Sequence, residues 1–421
     1  MLLPADKPRR YLHVALSPLS ILALLLVLQI PWIVFFYPAW RHAHPGKTAA
    51  SAVQPPPIPS REEDREGPWG VLRIEPIVLN YPSTHSVFDF DIEPYRHWAF
   101  RESTLADIRN RLAADGVNAP LCDELLQTAV TATNINGFVL TPPDAILRAF
   151  PPAVRAALYA DFARDPARRV QAKPFMFCGA SVAEWFQNSG VSSSVVAQIA
   201  PLVFPCGSHL LFIDPQLVIP AITSRFERVA LYQALHRTAT YRVRISLKSD
   251  EDPDGVIAYW STPRRQPEIE PLQAILESNP EGLSILNFLP PFARARLYTY
   301  SPPPSRQAAN AAVHDCHWTS LNFFNDPPDD RCTTTNIGPI FEQEYDRVQI
   351  PNRLGDVVLL FAGTRLVHSC VYLAGDIVFT KNGMGAGDPI VLEKLDEVVS
   401  CYRALYPEIH LGFCRRKDVT V

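Results

Sequence analysis

The segment "HDCHWTS", residues 314–320, sets Cys316 between His314 and His317 and directly behind Asp315. Those residue types support three chemistries. A thiol with a nearby base attacks carbonyls, cysteine with histidine holds zinc, and a lone thiol is buried as a small apolar group. The nucleophilic reading needs a base and a third polar group that fixes the tautomer of the base. His368, in "LVHSCVYLAG" (366–375), stands in the right order for the base, and Asn382, in "DIVFTKNG" (376–383), for the orienter. Thr380 shares a strand face with Asn382 and is the second choice for the third role, while Lys381 points to the other face. Zinc would draw on His314, Cys316, His317, His368 and Cys370, although no ligand-spaced pair of the C-x-x-C type is present.

The elements that must position these residues can be read from the same stretch. Asp315 is placed to cap a helix opening at Cys316, with Trp318, Leu321 and Phe324 on its buried side. A cysteine in the first turn feels the positive end of the helix dipole, which favours thiolate, and the free N–H groups there suit an oxyanion. "RLGDVVLLFAG" (353–363) gives a Gly-Asp turn and an apolar strand, and 366–375 and 376–383 give two more. The short Ala374-Gly375-Asp376 connection makes the last two strands antiparallel neighbours, so His368 and the segment 380–382 come together.

With those residues in order, 311–392 resembles the NlpC-type superfamily of papain-like cell-wall peptidases. The matching positions are Asp315-Cys316, Gly355-Asp356, His368 with Tyr372-Leu373-Ala374-Gly375, and Thr380 or Asn382. The resemblance implies a papain-like helix-plus-sheet domain that cleaves an amide or peptide bond, with peptidoglycan stem peptides as one substrate class. Cys316 would be nucleophile, His368 general base and acid, and Asn382 orienter. The chain departs from the family where Asp-Cys-Ser-Gly becomes Asp315-Cys316-His317-Trp318, which is bulkier beside the thiol. That pair keeps a second reading open, a membrane-tethered binding or scaffold module with the fold and no activity. "VFTKNG" also resembles uncharacterised membrane-anchored bacterial proteins, which adds no activity.

Outside this region the chain is read by class. Its 421 residues are 47 % hydrophobic and 19 % charged, so a largely folded chain is expected, and the helices and strands read along it, with the papain-like resemblance, make its expected class α+β. A net charge of −4 offers no basic stripe for nucleic acid, and no cofactor motif is present. The 41 prolines, about double the usual ~5 % share, favour short elements and stiff connections. Residues 19–37 are apolar and uncharged over about the ~20 residues a bilayer requires, with Trp32, Tyr37 and Trp40 toward the far interface. Lys7, Arg9 and Arg10 precede this span and Arg41 and Lys47 follow it, so the N-terminus is expected inside and the body extracytoplasmic.

The expected organisation is an anchor (1–40), a Pro-rich linker (41–68), a helix-rich domain with a small sheet (69–300) and the papain-like domain (301–421). Within the middle domain, residues 102–114, 152–163 and 181–188 read as helices, the first capped by Ser103. "YRVRISLK" (241–248) alternates as a strand, "DPDG" (252–255) reads as a turn, and "VIAYW" (256–260) as a returning strand. The pattern P-P-x-x-R-x-x-L-Y occurs at 151–159 and again at 290–298, a good helix start in both places. Eight cysteines show no spacing that assigns disulfides.

Overall fold

Every sheet among the described residues is antiparallel, and helices pack against them, so the class is α+β. The computed structural model describes residues 62–82, 91–163, 174–178, 181–206, 209–248, 251–262, 265–300, 314–332, 337–383, 388–406 and 408–417. All of them belong to one compact unit, Gln54–Val421. Among these residues no helix is long and apolar enough to cross a membrane. The apolar run 19–37, the linker up to 61, and the boundary expected at 301 lie outside the described residues.

A hairpin opens the description. β1 (Glu63–Gly67) pairs with β2 (Gly70–Leu79) through a tight turn whose Gly70 has φ +90. A Cβ there would meet the carbonyl oxygen of Ser246, on the strand that pairs with the other edge of β2, at 2.7 Å, so only glycine lets that strand approach. The middle region holds two three-stranded sheets. One is β3 (Trp98–Phe100), β4 (Val130–Ala132) and β5 (Gly137–Leu140), in the order β3-β5-β4. The other is β6 (Phe175–Phe177), β7 (Phe204–Cys206) and β8 (His209–Phe212), in the order β6-β8-β7. Their helices bury an aromatic core that includes Trp98, Phe100, Phe162, Phe177 and Phe212.

β9 (Thr238–Ser246) is the alternating strand expected near 241–248, and it pairs with β2 and with the short β10 (Leu283–Ser284). The strand expected at 256–260 is instead the end of a helix, Pro253–Trp260. Asp252 accepts a hydrogen bond from the Asp254 amide and Pro253 starts the first turn, so "DPDG" is a helix cap rather than a hairpin turn. Val256, Ile257 and Trp260 then fall on one buried face at helical spacing. The first expected helix runs over Leu105–Ala114 and is capped by Thr104, not Ser103. Thr104 and Asp107 complete a reciprocal capping box, whereas the Ser103 hydroxyl is spent on the Arg101 carbonyl.

Both copies of the proline-led pattern open helices, Pro152–Ala163 and Pro291–Arg296. Arg155 is fully buried and ion-paired with Asp214, while its counterpart Arg294 is exposed. The shared pattern therefore starts a helix in both places without giving the arginine one role.

The C-terminal sheet has six strands in the order β11-β16-β12-β13-β14-β15. They are β11 (Tyr345–Val348), β12 (Val357–Ala362), β13 (Arg365–Ala374), β14 (Ile377–Lys381), β15 (Ile390–Lys394) and β16 (Ile409–Arg416). β12 and β14 are buried along nearly their whole length; β12 is apolar throughout, whereas β14 buries Thr380 and Lys381 along with its apolar residues. β13 alternates between two layers. Cys370 and Tyr372 pack with Val398 and Val399 of the C-terminal helix, Leu395–Leu405. Val371 and Leu373 pack in a second core with Phe323 and Phe379. That core also takes Leu72, Ile74, Val243 and Ile245 from β2 and β9, so residues on both sides of 300 share it. The Thr240 hydroxyl donates to the Leu392 carbonyl at 2.7 Å and the Leu392 amide donates back at 3.0 Å, joining β9 to β15.

Candidate functional site

The cysteine helix, Cys316–Leu321, forms where the sequence places it. Asp315 is extended (φ −86, ψ −170), and its Oδ1 accepts from the Trp318 amide at 2.9 Å. All six residues of the helix are buried. Trp318 holds its outer end, stacked on His314 with ring centroids 3.7 Å apart and edge-on to Phe292 at 5.2 Å. The Arg296 guanidinium lies over the same Phe292 ring at 4.3 Å.

Cys316 is 8 % exposed. Burial pushes its thiol up to about 12, the Asp315 carboxylate adds to the shift, and hydrogen bonds from backbone at Ser369, His317 and Cys316 itself offset only part of it. His317 reaches the sheet: its Nδ1 is 2.8 Å from the Ser369 hydroxyl, which is 2.6 Å from that of Ser320. Burial holds the His317 imidazole below its usual pKa, opposed by Asp315.

His368 is fully buried on β13, opposite Leu360 of β12, and a bulge between Leu360 and Phe361 sets its direction. The alternation of β13 sends Ser369 to the cysteine helix and His368 to the C-terminal helix. There the Tyr402 hydroxyl is 2.9 Å from His368 Nδ1, with the rings stacked at 4.5 Å. On the other side of the ring, Nε2 is 3.0 Å from the Thr380 hydroxyl. Among the described residues no hydrogen bond joins Cys316 to His368. Burial drives the His368 pKa down to about 3, helped by neighbouring His317.

The group bonded to Nε2 is therefore Thr380. Asn382 stands one hydrogen bond further on, because β14 ends at Lys381 and leaves Asn382 beyond the ladder. The Thr380 hydroxyl donates to Asn382 Oδ1 at 3.3 Å, and Asn382 Nδ2 donates to Glu393 Oε1 at 2.6 Å. Burial raises the Glu393 carboxyl to about 7. The Asn382 amide lowers it, and neighbouring Glu397 raises it. Lys381 is 1 % exposed, on the other strand face from Thr380, and its charge helps to lower the His314 pKa.

The Gly-Asp turn before β12 has a structural task. Asp356 accepts from the amides of Asn352 and Arg353 at 2.9 and 3.0 Å, and from Arg415 Nε at 2.7 Å. Gly355 has φ +92, and a Cβ there would meet the Phe324 ring at 2.2 Å. Of the five residues that could have held zinc, His314 is stacked on Trp318 and Cys370 lies in the core under the C-terminal helix. Among the described residues no group of three or more His, Cys, Asp or Glu is arranged to hold a metal ion. All eight cysteines are free thiols.

Three participants were not read from sequence: Tyr402, Glu393 and Ser369. Tyr402 sits on an amphipathic helix and Glu393 on a mostly buried strand. The one available signal was the carboxylate directly after the apolar residues "IVL" (390–392). No family pattern, curated protein or solved structure matches the chain.

Proposed function

We propose that the chain is a membrane-tethered binding or scaffold module with a papain-like fold, its body extracytoplasmic, in which Cys316 is a structural thiol. The observation that carries this reading is the double engagement of His368. A catalytic imidazole keeps one nitrogen for the nucleophile and gives the other to an orienting group. Here Thr380 has one and Tyr402 the other. The charges agree, since a thiol raised to about 12 and an imidazole lowered to about 3 make no thiolate–imidazolium pair at neutral pH.

The second reading, a cysteine hydrolase cleaving an amide or peptide bond, draws support from the Asp315 cap directly before Cys316 and from the polar support that Thr380 gives His368. Peptidoglycan separates the two. Full-length protein and its Cys316→Ala variant are incubated with purified sacculi, and both sedimentation and released fragments are measured. The module reading expects equal binding by both proteins and no release. Release of stem-peptide fragments by the unmodified protein alone would establish the hydrolase instead.

A further inference from the structure

The hydrogen bonds around His368 have a direction, because each member has a limited supply of protons. A hydroxyl carries one hydrogen. Thr380 gives its hydrogen to Asn382 Oδ1, so its oxygen can only accept from His368 Nε2. Nε2 must then carry the imidazole proton. A neutral ring has one such proton, which leaves Nδ1 as a bare lone pair able only to accept, here from the Tyr402 hydroxyl. Asn382 is oriented in turn by Glu393, whose Oε1 accepts from Nδ2. Above the pH of about 7 at which this carboxyl ionises it can only accept, so an amide turned the other way would set two acceptors against each other.

We propose that Glu393 is a positioning residue for His368: acting through Asn382 and Thr380 it fixes the imidazole proton on Nε2, and the Tyr402 hydroxyl occupies the one remaining lone pair. The chain runs from the C-terminal helix through β13 and β14 to β15, so four elements set the state of one ring. This holds whether or not Cys316 is a nucleophile, because no link in the chain passes through the thiol. What it adds is the identity of the group that decides which nitrogen of His368 carries the proton.

The test is the nitrogen spectrum, at about pH 8 where Glu393 is ionised, of full-length protein labelled with ¹⁵N-histidine, the His368 signals being assigned by their loss in His368→Gln. The expected result is a protonated, pyrrole-type Nε2 and an unprotonated Nδ1. Tyr402→Phe should shift Nδ1 toward the position of a free lone pair and leave Nε2 protonated. Glu393→Leu should release the tautomer, moving both nitrogens toward the averaged positions of an exchanging ring, and Glu393→Gln, whose amide oxygen still accepts from Asn382, should restore it. A protonated Nδ1 in the unmodified protein overturns the proposal without any variant having to fold. So does a Glu393→Leu spectrum identical to that of the unmodified protein. Either failure leaves the reading of Cys316 as a structural thiol standing, since that is judged by its reactivity.

Discussion

His368 and Cys316 are both uncharged at neutral pH for the same reason, removal from water without a compensating charge. Loss of the Thr380 hydroxyl in Thr380→Val should leave His368 Nε2–H and Asn382 Oδ1 unpaired. The expected cost is about 1–3 kcal/mol, read from denaturant midpoints at constant slope. The titrations carry signs. The folded pKa of His368, about 3, lies below the ordinary ~6.5, so its contribution is fully present above ~6.5 and is lost as pH falls toward 3. Glu393 runs the other way. Its carboxyl is raised to about 7 from an ordinary ~4.3, so stability is favoured below ~4.3 and lost as pH rises through 7. Glu393→Gln should therefore flatten the decline in thermal midpoint between about pH 5 and about pH 8, and leave the acid limb governed by His368 intact.

The elements near the site depend on two carboxylates. Asp315→Ala removes the cap of the cysteine helix and should cost about 1 kcal/mol. Asp356→Ala should cost more, ~3 kcal/mol, because it strips Arg415 of its partner and frees the amides of the 352–356 turn. Chemical denaturation of the two variants would rank them. These elements were legible in sequence because their signals are local. Asp315 stands directly before its helix, Gly355-Asp356 before β12, and the 374–376 turn fixes two strands as neighbours. The partners of His368 were not, since Tyr402 arrives 34 residues later on another helix and Glu393 on a strand beyond β14. Local reading also failed where one signal had two meanings, as at "DPDG", which caps Pro253–Trp260.

At the scale of the molecule, the hairpin β1–β2 and strand β9 share a core with β13 and β14. Lys394, itself buried, reaches Glu63 at 2.6 Å and Arg65 reaches Asp376 at 2.7 Å, so charge pairs repeat the same connection. Leu72→Ala should therefore cost about 2–5 kcal/mol and lower hydrogen-exchange protection of β14 together with that of β9. Protection lost in β9 alone would mean that the two sides unfold separately. The most direct measurement is site-resolved alkylation of Cys316 in the full-length chain, followed by mass spectrometry from about pH 5 to about pH 9, with and without His368→Gln. A structural thiol labels no faster than buried Cys370 across that range, and the variant changes nothing. Rapid labelling below the ordinary thiol pKa of ~8.5, abolished by His368→Gln, would contradict this and make Cys316 a nucleophile.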